Sequence, residues 1–82
     1  MSTTREFFDG DYEYTIVIDP IVPPLSNGIS YEAKLNTVLR RRGGNVERLT
    51  PEPIGASGTS QDEALQKADK QVRAWIEQLK SN

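Results

Sequence analysis

An α+β domain, with a three-stranded antiparallel sheet packed on one C-terminal helix in the order β-β-β-α, is what this sequence predicts, and three observations predict it. Residues 59–79, TSQDEALQKADKQVRAWIEQL, combine a helix start signal with an apolar stripe of helical period. Residues 12–19, YEYTIVID, alternate with the period of a strand. Glycine turns at Asn27-Gly28 and Gly43-Gly44-Asn45 bracket the segment between them, as hairpin loops do.

Taken in chain order, residues 1–6 read as a frayed terminus. Asp9-Gly10, between Phe7-Phe8 and the first clear strand, can close a short hairpin. In that strand Tyr12, Tyr14, Ile16 and Ile18 share one face, with Glu13, Thr15, Val17 and Asp19 on the other. It ends in PIVPPLSNG, whose prolines cannot donate to a ladder. Residues 29–42 fit two templates. As a helix they offer Ser30 as a cap, an apolar face of Tyr31, Leu35, Val38 and Leu39, and Gly43 as a stop; this is the β-α-β-α alternative. As a strand, Ile29, Tyr31, Ala33, Leu35, Thr37 and Leu39 alternate with a polar set that only Val38 interrupts. The strand is preferred because of the turns on either side. A third strand over 46–54 contains Pro51 and Pro53, which confine it to an edge or a bulged extension. GASG then leads as a loop into the helix. There Ser60 and Glu63 form a capping box, and Leu65, Ala68, Val72, Trp75, Ile76 and Leu79 form the covered stripe. Asp62, Asp69, Glu77 and the helix cations make the outer face.

Eighty-two residues make one small domain, which buries only about 60% of its unfolded surface and leaves little room for a deep pocket. A net charge of −2 disfavours a general nucleic-acid binder. The chain has no cysteine and no histidine, which removes disulfides, thiolate metal sites, cysteine nucleophiles and the usual neutral-pH base. A non-enzyme without a cofactor is expected. No apolar run reaches membrane-span length and the N-terminus lacks the build of a signal peptide, so a cytoplasmic location without membrane contact is expected.

Arg40, Arg41 and Arg42, with Lys34 and Arg48 near in sequence, form the basic cluster that can contact anions or nucleic acid. Neighbours on a strand point to opposite faces, so three consecutive arginines do not make one patch. Phe7 and Phe8, apolar in a polar stretch, either cover a sheet edge or form a partner or self-association surface. GASGTS before the helix start suits an anion site but has neither the lysine nor the spacing of a phosphate loop. Asp9, Asp11 and Glu13 resemble the start of a calcium loop, with Tyr14 and Pro20 where its glycine and final glutamate belong.

The succession YTIVIDP, GISYEAKL and GTSQDEALQKADKQVRAWIEQL resembles the HicB-like antitoxin fold over about half the chain. The stretch LNTVLRRRGGNVERLTPE, residues 35–52, has no counterpart in the compact family. The resemblance implies a non-enzymatic partner that blocks an RNA-cleaving toxin. The order of elements is also similar to the double-stranded-RNA-binding fold, but Gln61, Asp62 and Glu63 stand where that family carries lysines. The reading that emerges is a small protein-interaction module with a protein partner or a homo-oligomer; RNA binding through the arginine turn is the alternative.

Overall fold

The computed structural model describes residues 2–23 and 26–81 and shows an antiparallel sheet with one helix across one face. Its elements are β1 (Thr3–Asp9), β2 (Tyr12–Pro20), β3 (Tyr31–Arg42), β4 (Asn45–Leu49), β5 (Gly55–Gly58) and α1 (Gln61–Ser81). The sheet runs β1-β2-β3-β4, and β5 pairs with β3 beyond β4. The fold class is α+β as expected, with five strands in place of three. Met1 of the expected frayed segment, and Pro24 and Leu25 of the proline-rich connection, lie outside the described residues.

The first additional strand is β1. Residues 3–6 are paired, not frayed: Thr3 faces Ile18 and Asp9 faces Tyr12. The two-residue loop is Gly10-Asp11, with Gly10 at φ 62° and Asp11 not positive, which matches a type II′ turn. The second is β5. Pro51 and Pro53 have no N–H, so the strand expected over 46–54 stops pairing after Leu49 and resumes at Gly55. Between them Leu35 N–H still donates to the Ile54 carbonyl at 2.9 Å.

Residues 29–42 are strand from Tyr31 onward, so the helical alternative is set aside. The β2–β3 pairing shifts between Thr15 and Ile16: Ile16 faces Leu35 while Thr15 faces Thr37, leaving Asn36 as the extra residue of a bulge. A bulge reverses the inside–outside alternation. Ala33 and Leu35 face the helix before it, and Val38 and Arg40 do so after it. The one apparent break in the polar set is therefore a core residue. Arg42 and Asn45 then flank Gly43-Gly44, both at positive φ (57° and 84°), the geometry of a type I′ hairpin.

The core lies between the helix-facing sheet side and α1. Tyr12, Tyr14, Ile16, Ile18, Ala33 and Val38 meet Ala64, Ala68, Val72 and Ile76, while Leu65, Trp75 and Leu79 pack at its margin. The alanines on α1 let the helix lie close against β5. At Gly58 a Cβ would lie 2.8 Å from the Ala64 nitrogen, so this strand end admits no side chain without a shift. Glu63 N–H donates to Ser60 Oγ at 3.1 Å as the cap requires. The Glu63 carboxylate does not complete the expected box; it accepts from the Thr59 hydroxyl at 2.9 Å and pairs with Lys67 at 3.1 Å. Lys67 first, then Thr59, holds its pKa below the usual carboxylate value. No helix among the described residues is long and apolar enough to cross a membrane.

Candidate interaction surface

One side of the sheet has no helix. Because facing residues of a ladder share a side, the register defines this open face: Thr4, Glu6 and Phe8 of β1; Glu13, Thr15, Val17 and Asp19 of β2; Glu32, Lys34, Thr37, Leu39 and Arg41 of β3; and Val46 and Arg48 of β4. Phe8 and Val46 are 67% and 54% exposed there. Val17 and Leu39 are half-buried by their neighbours.

The two phenylalanines are separated by the pleat. Phe8 stands on the open face, while Phe7 turns to the helix side and stacks on Tyr14, with ring centroids 5.3 Å apart and planes 21° apart. Phe7 thus extends the core toward the edge, and Phe8 alone contributes to the open face. The edge itself is β1, which among the described residues pairs on one side only. Its closing turn sets which groups are free. In a two-residue turn the flanking residues exchange hydrogen bonds, so Asp9, Phe7, Arg5 and Thr3 bond to β2. Thr4, Glu6 and Phe8 then direct their N–H and C=O groups away from the sheet.

The five basic residues do not converge. Lys34, Arg41 and Arg48 lie on the open face, whereas Arg40 pairs with Tyr12 in the ladder and Arg42 follows on that helix side. Lys34 and Arg41 are roughly 20 Å apart along the strand, at about 3.3 Å per residue. Three of the five are paired: Lys34 with Glu32 at 2.9 Å, Arg41 with Glu13 at 3.0 Å, and Arg40 with Glu47. The Glu47 hydrogen bond raises the Arg40 pKa, with a smaller contribution from Tyr12. Arg40 Nε is buried without a hydrogen-bond partner among the described residues. Arg42 and Arg48 make no ion pair among the described residues. The open face also carries Glu6, Glu13, Asp19 and Glu32, so its acids outnumber its three cations.

A cleft of about 460 Å³ at one end of the sheet brings Arg40, Arg42 and Lys80 to Gly10, Asp11, Tyr12 and Leu79. Lys80 there is held by Asp9 at 3.1 Å, and that hydrogen bond raises its pKa. The last turn of α1, with its free carbonyls and negative dipole end, also borders the cleft. Asp9 faces this side and Glu13 the other, so the alternate acids of β1 and β2 do not converge on a cation. GASG is strand β5, and its glycines serve close packing.

A further polar arrangement joins sheet to helix. The Tyr14 hydroxyl donates to Asp69, which also accepts from Arg73 Nε at 2.9 Å. Asp69 is half-buried, so it belongs to the packed side and not to the solvated outer face. The four-residue spacing of Asp69 and Arg73 was visible in the sequence; that Tyr14 reaches across to them was not. Comparison of the chain with protein-family models, with curated proteins and with solved structures finds no match.

Proposed function

We propose that this protein is a small non-catalytic interaction module, HicB-like in kind, that receives a protein partner at the β1 edge and the adjoining open face, in the cytoplasm. The observation that carries the reading is the unpaired β1 edge beside the exposed Phe8. Free backbone groups supply hydrogen bonds for an added strand, and an exposed aromatic supplies a side-chain contact next to them. RNA binding through Lys34, Arg40, Arg41, Arg42 and Arg48 is the weaker proposal. Those cations are split between two faces and three are engaged by acids.

A photoreactive amino acid placed at Phe8, with a control at Lys70 on the exposed helix side, tests the reading in the native host. Discrete protein adducts are expected from position 8 and not from position 70. No adduct from position 8, or the same adducts from both, would overturn it. RNA co-purifying with either protein would favour the alternative.

A further inference from the structure

We infer that the strand received by the β1 edge is β1 of a second copy of this chain, running antiparallel about a two-fold axis beside Phe7. The inference rests on the interaction-module reading and specifies its partner.

The helix lies over β5, β3 and β2, so β1 projects from the covered part of the sheet, with Arg5 exposed and Phe7 half-covered. A two-fold that pairs β1 with itself antiparallel must stand perpendicular to the sheet. Both helices then lie on one side, and residues facing each other across the joint belong to the same side of the sheet. Each possible register therefore centres on one residue.

Charge and the contacts made decide among these registers; centring on Thr4 or nearer the N-terminus pairs at most residues 2–6 and leaves Phe7 and Asp9 unmet. Centring on Glu6 sets it against the partner's Glu6, and centring on Arg5 sets it against the partner's Arg5; directly opposed like charges destabilise a ladder. Centring on Phe8 leaves few residues to pair before the turn. Centring on Phe7 places Arg5 opposite the partner's Asp9, twice by symmetry, and Glu6 opposite the partner's Phe8. The free groups also match. Glu6 and Phe8 direct their backbone outward, so they form the hydrogen-bonded pairs, and Phe7 meets the partner's Phe7 at the closer non-bonded position.

The side chains continue an existing arrangement. Phe7 stacks on Tyr14 within one copy, so the joint forms a row of four rings, Tyr14 and Phe7 followed by the partner's Phe7 and the partner's Tyr14. Asp9 already binds Lys80, and Arg5 has no acidic partner among the described residues. Pairing adds Arg5 to an acid already held in place. Arg5 and Glu6 also guard the edge against arbitrary strands. Together they select a partner whose sequence places an acid and an aromatic at the matching positions, which this chain does.

Sedimentation equilibrium across a wide concentration range tests this. The wild-type chain is expected to show a reversible monomer–dimer equilibrium. Phe8→Pro removes an outward N–H while sparing the β1–β2 ladder, and should leave a folded monomer. Arg5→Glu and Asp9→Lys should each weaken self-association roughly tenfold or more, since each opposes like charges twice. A mixture of those two variants should recover a heterodimer, because their charges are complementary. As a check independent of charge, Glu6→Cys and Phe8→Cys chains, mixed under oxidation, should form the mixed disulfide in preference to either symmetric one; the chain has no other cysteine. A wild-type chain that stays monomeric at every concentration would overturn the inference. Adducts of position 8 to a different protein would then leave the interaction-module reading standing. A dimer that persists in Phe8→Pro, or a dominant symmetric Glu6→Cys disulfide, would overturn the edge or its register.

Discussion

At Tyr14 the packing of the sheet and the polar seam to the helix meet in one side chain. Its ring is almost fully buried against Phe7, and its hydroxyl donates to Asp69. Burial, then the hydrogen bond that the phenol donates to Asp69 and the negative charge of that carboxylate, raises the phenol pKa well above its ordinary value. Tyr14→Phe keeps the ring and removes the donor, so a loss of roughly 1–3 kcal/mol is expected, toward the lower end because Asp69 retains Arg73. The sign of the pH dependence follows. Above about pH 10 the unfolded phenol has released its proton while the folded one keeps it, so the native state binds more protons and stability falls as pH rises. The Phe variant lacks that contribution. Urea unfolding should show a gap between wild type and variant at neutral pH that narrows above about pH 10. A gap that stays constant would mean that the phenol is not held neutral by the fold.

Among the elements, β3 shows how far sequence periodicity reaches. Strict alternation over residues 29–42 placed Val38 with the polar set, whereas the Asn36 bulge turns it fully inward against Tyr14. Val38→Thr changes shape little but buries a hydroxyl, with an expected loss of about 1–3 kcal/mol; Leu39→Thr, at a half-buried open-face position, should cost less than about 1 kcal/mol. Guanidinium midpoints would test this, and equal losses would contradict the register. Where a segment was legible, one surface decided its pattern. Tyr12 to Ile18 alternate because one helix covers one side, and Ser60 marks the start of α1 because its hydroxyl caps Glu63 N–H. Of β1 only the turn end was legible, through Asp9-Gly10 after Phe7-Phe8; residues 3–6 read as frayed because α1 leaves this strand largely uncovered, so TTREFFD has no reason to alternate. β5 was illegible because its small residues answer the approach of α1 at Gly58, a tertiary demand that reads locally as a loop. The candidate site was legible in part: Phe8 stood out as an aromatic in a polar stretch and the pleat already separates consecutive arginines, but the free edge beside Phe8 follows from β1, and the bulge decides which arginine takes which face.

The whole molecule is more extended than its length requires. Its radius of gyration is 13.8 Å, against about 12 Å for a compact domain of this size, and its longest dimension is 47 Å. Strand length explains this. The 12 residues of β3 span roughly 40 Å, whereas the 21 residues of α1 span roughly 31 Å, so the β3–β4 hairpin runs past the helix. Residues 41–48 are exposed throughout. This arm should therefore be separable from the core. Replacing residues 41–46 by Asn-Gly would join Arg40 to Glu47 through a type I′ turn. Arg40 and Glu47 already face each other, two steps from the present turn-flanking pair, so the hydrogen-bonding phase is kept. The shortened chain loses the Arg41–Glu13 ion pair and the Arg41 N–H bond to the Asp11 carbonyl, together about 1–2 kcal/mol. A melting temperature lower by no more than about 5–15 °C and a smaller radius of gyration by X-ray scattering are expected. Self-association through β1 should be unchanged, since the arm lies at the opposite side of the sheet from that edge. Complete unfolding of the shortened chain would show that the arm belongs to the cooperative core, and loss of the dimer alone would move the partner surface from β1 to the arm.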